Sequence, residues 1–155
     1  MTKAYLTAAV FALLSLSSCK KDGDDDKPAS EQIVGRWILT SQVYTPAIYD
    51  FDDDGDLDTE AISNMDPCDA DDLFVFKAGG TGELDEGASK CDPGDDQVYG
   101  TFNWEISSDN TITIDYNGDV ESGRIESISS SRMVITHEYT FNGVSLKIVD
   151  TYQKK

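Results

Sequence analysis

Seven carboxylates fall within the eleven residues Asp50-Phe51-Asp52-Asp53-Asp54-Gly55-Asp56-Leu57-Asp58-Thr59-Glu60. Oxygen donors stand at loop positions 1, 3, 5, 7 and 9 (Asp50, Asp52, Asp54, Asp56 and Asp58), with Gly55 at position 6 and Leu57 at position 8. A calcium loop begins in this way, because the hard cation gathers about six to eight oxygens while the glycine lets the backbone turn so that a carbonyl joins them. The segment departs from a helix-flanked calcium hand at position 12, where Ala61 replaces the bidentate Glu and Glu60 comes one place early. Charges so close repel one another without a cation. The expectation is a Ca²⁺ site built from Asp50, Asp52, Asp54, Asp56, Asp58 and Glu60 on a non-helical scaffold, the alternative being a solvated acidic loop.

His137, the single histidine, and Asp150 form a second pair with chemical potential. Alternation along the strands places them as diagonal neighbours on one apolar face, where they can hydrogen-bond to each other or to a ligand. No serine or cysteine nucleophile is set beside them by the sequence, so the pair reads as structural or ligand-binding rather than catalytic. Trp37 and Tyr139 join them as candidate ligand contacts. The wider aromatic set of Phe74, Phe76, Phe102, Trp104, Tyr116 and Phe141 reads mainly as core.

Three cysteines are present. Cys19 follows an apolar run from Ala8 to Leu14 and the box Leu16-Ser17-Ser18, a layout too short to span a bilayer and typical of a secretory signal. Small residues directly before the cysteine resemble the lipobox of bacterial lipoproteins, in which residues 1–18 are removed and Cys19 carries the lipid anchor. Several acyl chains on one cysteine give stable attachment to a membrane. Cys68 and Cys91 then remain as an even pair outside the cytoplasm, which suggests one disulfide. Residues 19–30, including the polar run Lys20 to Ser30, cannot bury anything and read as a flexible acidic tether. Its Lys20-Lys21-Asp22 and Asp24-Asp25-Asp26 resemble the export signal of Bacteroidota surface lipoproteins. The expected location is the bacterial outer membrane, facing the periplasm or the cell surface.

The elements that must position these groups are strands. With 30 Asp+Glu against 12 Lys+Arg the net charge is 12 − 30 = −18, which excludes nucleic acid as a partner for want of a basic surface. Residues 31–155 contain eight runs with strand-like alternation. The first sets Trp37, Leu39, Ser41 and Val43 against Ile38, Thr40, Gln42 and Tyr44; the others are Leu73 to Lys77, Gly82 to Gly87, Val98 to Ile106, Thr111 to Tyr116, Val120 to Ile128, Met133 to Phe141 and Val144 to Gln153. Asn142-Gly143 is a two-residue hairpin turn that pairs Phe141 with Val144, Tyr139 with Leu146, His137 with Ile148 and Ile135 with Asp150. At Asn117-Gly118 a three-residue loop through Asp119 is preferred, since it sets Tyr116 against Val120, and the apolar phase then slips around Gly123, which predicts a bulge.

Gly35-x-Trp37 after a helical turn, eight sequential strands, the anchor cysteine, the acidic loop and the segment Asp85-Glu86-Gly87 with Lys90-Cys91-Asp92-Pro93 resemble the lipocalin-like domain of Bacteroidota lipoproteins. The resemblance implies an all-β, eight-stranded antiparallel up-and-down barrel, with Trp37 closing its bottom under Lys154 or Lys155. It also implies a non-catalytic binding protein whose barrel takes a small hydrophobic ligand. The competing expectation is a calcium-stabilised module with a solid barrel, whose loops contact a glycan or a partner protein.

Overall fold

β-Branched and aromatic residues in alternation favour a pleated surface with one buried face, and the chain builds its barrel from such segments. The computed structural model describes residues 27–141 and 143–155; the signal segment 1–18, Cys19, the tether as far as Asp26 and Asn142 lie outside the described residues. Eight strands follow in order: β1 (Gly35–Thr45), β2 (Leu73–Lys77), β3 (Thr81–Asp85), β4 (Val98–Ile106), β5 (Thr111–Tyr116), β6 (Asp119–Ile128), β7 (Arg132–Phe141) and β8 (Val144–Lys154). Each pairs antiparallel with the next, and β8 pairs with β1 to close an up-and-down barrel.

One end is plugged. The short helix α1 (Ala29–Gln32) leads into Ile33 and Trp37, both fully buried, and the Trp37 indole donates to the Ile33 carbonyl at 2.6 Å. Lys154 lies 4.9 Å above the Trp37 ring and donates to the Gln32 carbonyl, so Lys154 rather than Lys155 covers the tryptophan. Above this plug the rings of Phe76 and Phe102 meet at 5.2 Å, Phe76 and Trp104 at 5.7 Å, and Phe74 and Tyr152 at 5.6 Å. With Ile112, Met133 and Ile135 they fill the barrel's closed half with side chains.

Three registers decide what the open half presents. The β7–β8 hairpin has the expected two-residue register, pairing Phe141 with Val144, Tyr139 with Leu146 and His137 with Ile148. The β5–β6 hairpin departs from expectation: Tyr116 pairs with Asp119 and Ile114 with Glu121, so the connection is the two-residue turn and not the three-residue loop. Asn117 (φ 59°) and Gly118 (φ 113°) both take the left-handed backbone, whose twist suits adjoining strands, and Asp115 accepts from the Gly118 N–H at 2.6 Å. Val120 is thereby turned outward at 61% exposure, and Glu121, exposed at the mouth, shares the inward face of buried Gly123 and Ile125. The bulge also differs in place. It falls between Ile125 and Ser127, whereas Gly123 stays in register opposite Ile112, and a Cβ there would stand 2.6 Å from Ile135 Cγ2 and 2.7 Å from His137 Cε1. In β1 a further irregularity between Leu39 and Ser41 reverses the phase, so that Gln42 and Tyr44, paired with Asp150 and Ile148, face the interior in place of Ser41 and Val43.

The loop from β1 to β2 carries the acidic segment and a second short helix, α2 (Pro67–Ala70). The Cys68–Cys91 disulfide, with a Cα separation of 5.2 Å, ties α2 to the β3–β4 loop.

Candidate functional site

Above the aromatic layer the barrel opens into a cavity of about 550 Å³, within the usual range for small-molecule sites. Its lining includes Gln42 and Tyr44 from β1, Glu121 from β6, His137 and Tyr139 from β7, and Ile148 and Asp150 from β8, together with Val120, Ser122 and Glu138. The strand period of two explains the first seven, because alternate residues of neighbouring strands share one face.

The His137–Asp150 pair forms the floor. His137 Nε2 lies 3.3 Å from Asp150 Oδ2, and Nδ1 lies 3.0 Å from the Ser122 carbonyl. A carbonyl and a carboxylate both accept, so both ring nitrogens must carry protons to satisfy them. Burial disfavours the imidazolium, but the Asp150 carboxylate and the Ser122 carbonyl outweigh it and raise the His137 pKa above its ordinary 6.5. Ser122 meets the histidine through its backbone, while its hydroxyl lies 3.3 Å from Thr113 Oγ1. Asp150 Oδ1 is buried and receives no hydrogen bond of ordinary geometry. Beneath it, burial and the charge of Asp150 keep the Tyr152 phenol well above its ordinary pKa. Burial and neighbouring charges likewise raise Tyr44 and Tyr139, which remain protonated donors at neutral pH.

Of the sequence-derived ligand contacts, His137, Tyr139 and Asp150 come together here. Trp37 does not; it is fully buried in the plug at the closed end. Glu121, Gln42 and Tyr44 escaped the sequence reading, although Asn117-Gly118 read as a two-residue turn would have placed Glu121 inside. The rim is apolar, with Val120, Tyr139, Phe141 and Val144 all more than a third exposed at the tips of the two hairpins.

The acidic loop hangs beside this opening. Tyr44 of the cavity wall meets Tyr49 at 5.7 Å and Phe51 at 5.4 Å between ring centres, and an isolated bridge joins Tyr49 to Asp58. Asp50, Asp52 and Asp54 converge, with one oxygen of each within 4.8 Å of the others. Their carboxylates also accept backbone N–H groups: Asp50 from Asp54 and Gly55, Asp52 from Asp54, and Asp54 from Asp56. The Asp54 N–H favours ionisation of Asp52, but slight desolvation and the charges of Asp54, Asp58 and Asp50 prevail and raise its pKa. Asp58 turns to the Phe51 N–H, and Glu60 turns to Ser41 Oγ, the Gln42 N–H and the Ile62 N–H. The convergent oxygens are therefore those of Asp50, Asp52 and Asp54, whereas Glu60 is spent on β1.

A family model described as a lipocalin-like domain matches residues 33–135. No curated protein sequence matches the chain. Among solved structures, a bovine odorant binding protein deswapped triple mutant is 15% identical, covering 80% of this chain and 74% of its own, with a TM-score of 0.42. A complex of bovine odorant binding protein with a selenium-containing odorant is also 15% identical, covering 83% and 74%, with a TM-score of 0.44.

Proposed function

Because this chain belongs to the lipocalin-like domain family, we propose that it is a lipid-anchored, non-catalytic binding protein of the bacterial cell envelope that takes a small hydrophobic molecule into its barrel. The observation that carries this reading is the cavity of about 550 Å³ at the open end of an otherwise filled barrel, ringed by exposed Val120, Tyr139, Phe141 and Val144. Apolar area removed from water there supplies roughly 25 cal/mol per Å² toward binding. A solid barrel whose loops contact a glycan or a partner protein is the competing reading, and the open mouth favours the ligand.

A neutral solvatochromic dye tests it. Phenylnaphthylamine should bind with one-site saturation, and Gln42→Trp, which fills the cavity, should abolish the signal without unfolding the protein. Unsaturable binding, or saturation that survives Gln42→Trp, contradicts the proposal.

The anchor rests on Leu16-Ser17-Ser18-Cys19, and exposure at the cell surface on the charged run that follows. Cys19→Ser should move the protein from the membrane to the soluble fraction; continued fractionation with membranes refutes the anchor. For calcium, the convergence of Asp50, Asp52 and Asp54 favours a weak site, since Glu60 contributes nothing there.

A further inference from the structure

The polarity of the cavity goes further than its volume. Asp150, whose side chain is 7% exposed, faces His137 with Oδ2, while Oδ1 is buried and makes no hydrogen bond of ordinary geometry, the Tyr152 phenol lying beside the carboxylate. An ionised carboxylate offers about four acceptor positions, and leaving them dry and unpaired is costly. Glu121 is the inward-facing acid beside it, Glu138 lying on the outer face opposite Lys147, so that with His137 protonated the inward lining carries 1 − 2 = −1, and none of the described lining residues is Lys or Arg. The loop from Asp50 to Glu60, attached through the rings of Tyr49 and Phe51 to Tyr44, adds seven more carboxylates beside the entrance. A low-dielectric cleft lined by one sign of charge concentrates the opposite sign. The rim, by contrast, is apolar.

On the reading that the mouth is a ligand site, we propose that its ligand is a cationic amphiphile: a protonated amine whose ammonium sits between the Asp150 carboxylate and Glu121 while its apolar body lies against Ile148 and Tyr139. The ammonium donates to these carboxylates, and the Tyr44 and Tyr139 rings that line the cavity attract it as well. A fatty acid of the same length sets its carboxylate against Asp150 and Glu121 and is repelled. His137 competes with the amine for Asp150. The groups that face the imidazole are Asp150 from β8, Glu121 and the Ser122 carbonyl from β6, and the phenols of Tyr44 and Tyr139. Deprotonating His137 therefore leaves Asp150 freer, and amine affinity rises with pH until the amine itself loses its proton.

Calorimetric titration of the full chain with dodecylamine, dodecanol and dodecanoate, each below its micellar concentration, tests the inference. One charge-assisted contact corresponds to about tenfold in affinity or more, so dodecylamine should bind about tenfold tighter than dodecanol, and dodecanoate more weakly than either. Glu121→Gln and Asp150→Asn should each narrow the gap between amine and alcohol. Glu121→Gln keeps the test sound if Asp150→Asn fails to fold, since Glu121 lies exposed at the mouth. Equal affinity for amine and alcohol overturns the cation preference and leaves the hydrophobic site standing. Failure of all three probes overturns the site and the inference together. A preference that survives both substitutions puts the amine on the acidic surface instead, which also overturns it.

Discussion

Gly123→Ala is the smallest change that reaches the cavity floor. A Cβ on Gly123 would stand 2.6 Å from Ile135 Cγ2, 2.7 Å from His137 Cε1 and 2.8 Å from His137 Nδ1. Ordinary carbon contacts lie at about 3.5–4.0 Å, so roughly 1 Å of overlap must be relieved. Ile135, 2% exposed within the core, has nowhere to go. The imidazole can swing toward the open cavity, but it then gives up the Ser122 carbonyl at 3.0 Å and its place 3.3 Å from Asp150. Overpacking costs about 1–3 kcal/mol, and a hydrogen bond to a charged group contributes about 1.5–3 kcal/mol. Alanine recovers about 0.5–1 kcal/mol of the entropy that glycine loses in a strand. These terms are not additive, and the expected loss is about 2 kcal/mol, read as a lower urea midpoint near pH 6 with an unchanged slope. Because the chain has one histidine, its imidazole titration is directly assignable by NMR, and its pKa should fall toward the ordinary 6.5. A variant as stable as the parent, with an unmoved histidine titration, would falsify the account of why position 123 is glycine.

Three further outcomes follow from the same structure. The folded-state pKa of His137 is raised, so its protonation stabilises the fold; that contribution is complete below 6.5 and is lost as pH rises through the folded value. His137→Gln should remove this slope from the stability profile measured by urea unfolding between acid and mildly alkaline pH, and a parallel profile contradicts it. Cys68 and Cys91 are 23 residues apart, and releasing them with a Cys68→Ser/Cys91→Ser double variant should cost about 3 kcal/mol by loop entropy. A loss below about 1 kcal/mol in equilibrium unfolding shows that the bridge leaves the unfolded chain little changed. If the acidic loop binds calcium, with a Kd on the order of 10⁻⁴ M, millimolar Ca²⁺ should raise the melting temperature more than Mg²⁺ does. Replacing Asp52 and Asp54 by Asn should erase that difference, and a difference that persists in the double variant refutes the site.

The closed half of the barrel was legible because core burial enforces alternation. Phe76, Phe102 and Trp104 are buried in the core as expected, and the β7–β8 register followed from Asn142-Gly143. The open half was less legible for the opposite reason. At a mouth filled with water nothing penalises an inward Glu121 or an outward Val120, so a rule that puts apolar residues inside chose the wrong loop between β5 and β6. The irregularity between Leu39 and Ser41 leaves no compositional trace, yet it is what turns Gln42 and Tyr44 into the cavity. Gly123 signalled something real and was misread. It accommodates the His137 ring, a contact between strands that alternation along one strand cannot reveal. Glu60 kept its loop position in the sequence pattern but went to β1, because the Gln42 and Ile62 N–H groups needed an acceptor.

The proposed ligand enters the barrel between β1, β6, β7 and β8. Isotope-edited NMR of the labelled protein saturated with unlabelled dodecylamine measures this directly, through Overhauser contacts between the ligand's methylenes and assigned side chains. Contacts to Ile148 and Tyr139 are expected, accompanied by a shift of the His137 ring resonances. Contacts confined to the shallow cleft at the closed end, lined by Val34, Ala78 and Trp104, or no contacts at the mouth from a ligand that nevertheless binds, would contradict it.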